Sequence, residues 1–302
     1  MKQPNKKNDE GTMKNVLITD VDNTLFDWFN VWYNSFNAMI KTASKISGIP
    51  LSVLKPEIKE IHQKYGTAEY SFVLQELPSL LKKYGNKESI LRELDEAIHA
   101  YRSERKRCLQ LYPTVMDTLS ILKNIGVKII AYTESKEYYT NYRLSKLDLD
   151  GVIDVVFSPE DHSLPEGIMK QESYQLKKTL NCHTPKGEIK PNPKILLDII
   201  KFAKANPEQC VYIGDSEMKD IAMAQSAHVS SVFAKYGTTH FSNNLEGYDL
   251  LRDVTHWTDA DVEYERRIKE ENKEIHSQNI ALHFSDILNM FTFCAFEEKH
   301  DN

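Results

Sequence analysis

Asp20 and Asp22 stand one residue apart directly after a short apolar run, in the segment Asp20-Val21-Asp22-Asn23-Thr24. Carboxylates at this spacing point the same way while the chain stays extended, which brings like charges together and calls for a cation. Two other apolar runs deliver polar groups in the same manner. The run 127–132 leads into Thr133, and the run 210–213 leads into Gly214-Asp215-Ser216, with Asp220 in the first turn of the helix expected next. Asp215 adds a third carboxylate, and an all-oxygen cluster without a neighbouring histidine or cysteine suits a hard ion that keeps its waters, namely Mg²⁺. Asp220 is placed to orient a metal-bound water.

A positive side chain should stand nearby, because an anionic nucleophile that approaches an anionic phosphate must overcome repulsion. Lys190 meets that need. It precedes Pro191-Asn192-Pro193, where Asn192 can cap a helix and Pro193 suits its first turn, so the lysine is held just ahead of a defined helix start. Taken singly, each of these residues also has an ordinary reading. Asp-x-Asp ends turns, threonine caps helices, acids favour helix starts, and most lysines are solvated.

The elements that would position these groups follow from the apolar pattern. Valine- and isoleucine-rich runs at 16–19, 127–132, 152–157, 210–214 and 229–233 read as strands buried on both faces. Helical patterns at 115–124, 137–146, 193–204 and 217–226 separate them. This alternation predicts an α/β fold, a doubly wound parallel sheet, in which ligands bind beyond the carboxyl ends of the strands. The first two strands are separated by a long stretch that reads as helical throughout, assigned to an inserted helical domain over residues 28–107. Breaks at Gly48-Ile49-Pro50, Tyr65-Gly66 and Tyr84-Gly85-Asn86 suggest about four helices there. The remaining assignments are a polar tail over 1–14, a core over 15–27 and 108–245, and a charged, helical extension over 246–302 whose apolar patch at 287–296 needs covering.

With Thr133 and Lys190 between them, the Asp20–Thr24 and Gly214–Asp220 segments resemble, in order, the four signature motifs of the haloacid dehalogenase superfamily. The resemblance spans roughly residues 15 to 235. It implies a Rossmann-like core with a helical cap inserted after the first strand, in agreement with the insertion already assigned. It further implies that Asp20 is the nucleophile that attacks phosphorus, and that Asp22 protonates the leaving oxygen and then activates water. Thr133 would hydrogen-bond the transferring phosphoryl group, and Lys190 would steady nucleophile and phosphate. Asp20, the backbone carbonyl of Asp22 and Asp215 would ligate Mg²⁺, with Asp220 in support. The expected activity is hydrolysis of a small phosphate monoester. A phosphomutase, a haloacid dehalogenase-type hydrolase and a non-catalytic phosphate-binding protein are the competing readings. Carbon–halogen hydrolysis fits less well, since it requires neither an acid for an alkoxide leaving group nor a metal.

Lys+Arg of 38 against Asp+Glu of 44 gives a net charge of −6 and no electrostatic footprint for nucleic acid. Neither a secretory hydrophobic stretch nor a membrane span is legible. The four cysteines lie far apart, as in a reducing compartment, so a cytoplasmic protein that acts on a small phosphorylated metabolite is expected. Trp28, Phe29, Trp32, Tyr33 and Phe36 are expected mostly to pack within the inserted helices. The basic cluster Arg102, Arg105, Lys106 and Arg107 reads as a solvated helix end or as a contact for an anionic substrate.

Overall fold

A computed structural model of the protein describes residues 13–162, 175–239 and 245–297. Residues 1–12 of the expected polar tail lie outside that range, as do parts of the expected core and carboxy-terminal extension. The described residues form a seven-stranded, wholly parallel sheet. Its strands are β1 (Val16–Thr19), β2 (Lys128–Tyr132), β3 (Val155–Ser158), β4 (Leu180–His183), β5 (Cys210–Gly214), β6 (Ser230–Ala234) and β7 (Ile280–Ala281), in the spatial order β4-β3-β2-β1-β5-β6-β7. The chain therefore reverses its direction of travel beside β1, and the crevice at such a switch point lies beyond the ends of β1, β2 and β5.

Strand alternation divides the apolar residues between two faces. Leu17, Ile129, Ala131, Val211 and Ile213 pack on one side with helix α7 (Val115–Ile125), while Val16, Ile18, Ile130, Tyr132 and Tyr212 pack on the other with α9 (Pro193–Phe202). Strands β4 and β7 escaped the sequence reading. Leu180-Asn181-Cys182-His183 is half-exposed and polar at the sheet edge, and β7 has two residues, so neither carries a continuous apolar run. The third strand begins later than expected, because Gly151 at φ 92 turns the chain first.

Between β1 and α7 the chain forms six helices rather than about four: α1 (Trp28–Ser47), α2 (Leu51–Tyr65), α3 (Val73–Glu76), α4 (Pro78–Tyr84), α5 (Lys87–Glu93) and α6 (Asp95–Cys108). The helix expected over 86–107 breaks at Leu94, a fully buried residue at φ −108. Phe29, Trp32 and Phe36 are buried in this insertion, where Trp32 stacks on Phe36 at 5.3 Å between centroids.

The carboxy-terminal segment differs from a helical extension. Helix α11 (Leu245–Val254) lays Leu250 and Val254 into the core of the insertion, with Tyr248 stacked on Phe29 at 4.3 Å. The buried His62 ring meets the Val254 carbonyl at 2.6 Å through Nδ1. After α12 (Asp259–Glu271) the chain adds β7 to the sheet, and only Ile287–Met290 of the terminal apolar patch is helical. Lys14 N–H donates to the Thr292 carbonyl and Cys294 N–H to the Lys14 carbonyl, both at 2.9 Å, so Phe291 and Phe293 pack against the sheet layer. Alternation of apolar residues at 291 and 293 is a two-residue period, which suits extended chain rather than helix. The patch is thus covered within the chain.

Candidate active site

Asp20 follows β1 and continues its ladder, its N–H donating to the Ile213 carbonyl at 2.9 Å. Beyond it the chain turns tightly: Leu25 N–H donates to the Val21 carbonyl, and Asn23 takes a left-handed φ of 57. Thr24 Oγ1 donates to Asp20 Oδ2 at 3.1 Å, which fixes one carboxylate oxygen. Asp27 then caps α1 by accepting from Asn30 N–H at 2.8 Å.

Lys190 arrives from the loop before α9, where Asn192 Oδ1 accepts from Ile195 N–H as the expected helix cap. Its Nζ lies 2.5 Å from Asp20 Oδ1 and 2.9 Å from Asp220 Oδ1. The ammonium also sits over two rings of the sheet, 4.8 Å from the Tyr132 centroid and 5.6 Å from that of Tyr212, which attract its charge. Ser216 caps the turn that carries Asp220, and Asp220 itself accepts from Tyr212 Oη at 2.8 Å and from Ser216 N–H at 3.2 Å. Carboxylate oxygens of Asp20, Asp215 and Asp220 lie within 4.8 Å of one another.

Three acids around one ammonium leave an excess of negative charge. Burial pushes the Asp20 carboxyl up to about 7 against the pull of Lys190, with Asp220 and Asp22 adding to the rise. Burial and the charges of Asp20 and Asp220 likewise hold the Asp215 carboxyl well above the usual carboxylate range. Burial works against the Lys190 ammonium, but Asp20 and Asp220 outweigh it and keep that group charged. Such a cluster accepts either protons or a further cation. The donor set is entirely oxygen, which fits Mg²⁺.

The carboxylate of Asp22 faces a different set of partners. Its Oδ2 accepts from Ser135 Oγ at 2.6 Å and from Thr133 Oγ1 at 3.3 Å, and its Oδ1 accepts from Arg143 Nη1 at 3.1 Å. Arg143 also pairs with Glu69 of the insertion. All six sequence-singled residues, Asp20, Asp22, Thr133, Lys190, Asp215 and Asp220, therefore gather at the carboxyl ends of β1, β2 and β5. Sequence reasoning missed Ser135, Arg143, Glu69 and Tyr212. Ser135 two residues after Thr133 was a readable hint, whereas Arg143 lies within a helix whose burial only the packed sheet reveals.

Comparisons with known proteins bear on this arrangement. A family described as haloacid dehalogenase-like hydrolase matches residues 14–228. Glyceraldehyde 3-phosphate phosphatase of Methanopyrus kandleri is 25% identical over 229 residues, 74% of this chain and 85% of that protein. Phosphoglycolate phosphatase of Pseudomonas putida is 20% identical over 232 residues, 76% of this chain and 72% of that protein. In three dimensions the chain is similar to a 2-haloacid dehalogenase from Pseudomonas syringae pv. Tomato, with a TM-score of 0.52 and 18% identity over 92% of this chain and 97% of that one. That likeness is one of fold.

Proposed function

Because the chain belongs to the haloacid dehalogenase-like hydrolase family, we propose that this hydrolase is a Mg²⁺-dependent phosphatase that cleaves a small phosphate monoester through a phosphorylated Asp20. The observation that carries the reading is the Lys190 ammonium, set 2.5 Å from Asp20 and 2.9 Å from Asp220 with Asp215 alongside. A lysine so placed favours the ionised form of Asp20 against its burial, holds the carboxylate turned for attack, and offsets the charge of an arriving phosphoryl group. Phosphatase names among the relatives support the same substrate class.

Asp20 Oδ would attack phosphorus in line with the ester oxygen, forming an aspartyl phosphate and breaking the P–O bond. Asp22 supplies the proton that leaves with the alcohol, then takes a proton from the water that hydrolyses the acyl phosphate and regenerates Asp20. To do so its carboxylate leaves the Ser135 and Arg143 contacts and swings toward the ester oxygen. Asp20 and Asp215, with the backbone carbonyl of Asp22, would hold Mg²⁺, and Asp220 supports the set. Held there, the ion would supply positive charge against the transferring group. Thr133 and Thr24 line the same rim, and the helical insertion serves as a cap that excludes bulk water.

The test is phosphate release from p-nitrophenyl phosphate with and without Mg²⁺. Activity is expected to require the ion and to vanish in Asp20→Asn, whose amide is a far weaker nucleophile. Full turnover in excess chelator, or an unimpaired Asp20→Asn protein, rejects the mechanism.

A further inference from the structure

Arg143 of α8 (Glu137–Lys146) is a buried cation shared between two carboxylates, its side chain 4% exposed. Its Nη1 donates to Asp22 Oδ1 at 3.1 Å and to Ser135 Oγ at 3.0 Å, while its Nη2 donates to Glu69 of the insertion. The guanidinium carbon lies 5.4 Å from the Phe26 ring centroid, against apolar surface. A charge buried in this way is costly unless a carboxylate answers it.

The two carboxylates differ in what they are free to do. Asp22 is the one that leaves Ser135 and Arg143 for the ester oxygen in the phosphatase reading above. Glu69 is fixed from both flanks: Trp32 Nε1 donates to the Ala68 carbonyl at 3.0 Å, and Ser71 N–H donates to Tyr139 Oη at 3.2 Å, which ties this stretch to α1 and to α8. Among the described residues that line the small cavity between the insertion and α8, Glu69 is the one acid. Arg105 adds a second guanidinium there, turned inward with its central carbon 4.0 Å from the Tyr142 ring centroid and 5.2 Å from that of Tyr101, whereas Arg102, Lys106 and Arg107 of the same helix are exposed. Once Asp22 has turned away, Arg143 faces another cation with Glu69 as its remaining counter-charge.

We propose that Glu69 is a positioning residue for the acid–base step: by staying paired with Arg143, it lets the Asp22 carboxylate turn to the ester oxygen without stranding a buried guanidinium. This rests on the phosphatase reading, and it requires only that one side chain rotate, with the insertion seated as it stands. Without the Glu69 charge, Arg143 has one carboxylate left and detains it. The loss then falls on esters whose alcohol needs a proton to leave. An acidic phenol departs as its phenolate unaided, so the place of Asp22 matters little to P–O cleavage there.

The test measures kcat/KM, which reports the first phosphoryl transfer, for benzyl phosphate and p-nitrophenyl phosphate, esters of similar bulk and opposite demand for an acid. Glu69→Gln keeps the length of the side chain and an oxygen for Arg143 to donate to. It should lower the benzyl to p-nitrophenyl ratio by at least about tenfold. Adding Arg143→Met removes the cation that detains Asp22, so the double variant should regain most of that ratio. Arg143→Gln in the same background is a second neutral replacement and carries the same expectation. A salt bridge that merely braces the insertion predicts the reverse, further losses in the double variants that fall equally on the two esters, and that result overturns the assignment. A wild-type protein that turns over neither ester overturns the phosphatase reading and this inference with it. Turnover that needs Mg²⁺ and Asp20 but shows an unshifted ratio in Glu69→Gln overturns this inference alone.

Discussion

A β-carbon at Gly214 would stand 2.4 Å from Oδ2 of Asp220, closer than any real contact. The carboxyl cannot retreat, because the Tyr212 hydroxyl, the Lys190 ammonium and Ser216 N–H all hold it. Gly214→Ala should therefore destabilise the fold by about 1–3 kcal/mol and remove most of the phosphatase activity, since overpacking here displaces Asp220 and with it Lys190. Thermal unfolding and phosphate release together check this. A variant with wild-type melting and turnover would mean that the approach is looser than it stands.

Lys190 is the sole side-chain ammonium contacting Asp20 and Asp220 among the described residues. Lys190→Met should reduce kcat by a factor on the order of 10²–10³. It should also destabilise the metal-free protein by about 3–5 kcal/mol, because three acids then share a pocket without a counter-charge. Added Mg²⁺ should recover part of that loss. A Lys190→Met protein that melts normally without metal would remove the electrostatic role assigned here.

Mg²⁺ itself should raise the unfolding free energy of the wild-type protein, by about 2.7 kcal/mol at a hundredfold excess over its Kd. The pH dependence has a definite sign. Burial holds the Asp20 carboxyl near 7, so below that pH the metal must displace a proton. Affinity for Mg²⁺ should fall as pH drops from about 8 to about 6, and binding should release protons. Calorimetry in buffers of different ionisation enthalpy measures both, and a flat affinity across that range would contradict the prediction.

Asp22 and Asp215 should separate in their effects. The Asp22 carboxylate is held by Ser135, Thr133 and Arg143 rather than by the three-acid cluster. Asp22→Asn is expected to depress turnover by at least about tenfold while nearly preserving Mg²⁺ affinity. Asp215→Asn is expected to weaken the metal directly. Equal losses of metal affinity in the two variants would overturn this division of labour.

His62 supplies a stability prediction away from the site. Burial lowers its ring to about 4, below the ordinary 6.5, and the ring's one hydrogen bond goes to the Val254 carbonyl of α11. The unfolded chain therefore binds more protons than the folded one between those values, so stability attributable to His62 is present above about 6.5 and is lost as pH falls toward about 4. Relative to His62→Asn, the wild-type protein should lose roughly 3 kcal/mol across that window. Parallel curves for the two proteins in urea titrations would refute it.

Local pattern settled much of this protein. Apolar runs that end in Asp20, Thr133 and Gly214-Asp215 placed the acids at strand ends, and a strand end is where the backbone itself points residues at the crevice. Asn192 and Pro193 marked the start of α9 because capping chemistry is written in neighbouring residues. The weak edge strands β4 and β7 were illegible, since a two-residue or polar strand exists only through its neighbour's hydrogen bonds. Long-range packing alone decided that α11 would fill the insertion's core through Leu250 and Val254, and that residues 291–296 would return to Lys14. It also decided which basic residue of α6 turns inward. Contacts between residues far apart in the chain leave no period or spacing in the sequence, so Arg143 between Asp22 and Glu69, and Arg105 between two tyrosine rings, became visible only once the folded layers met.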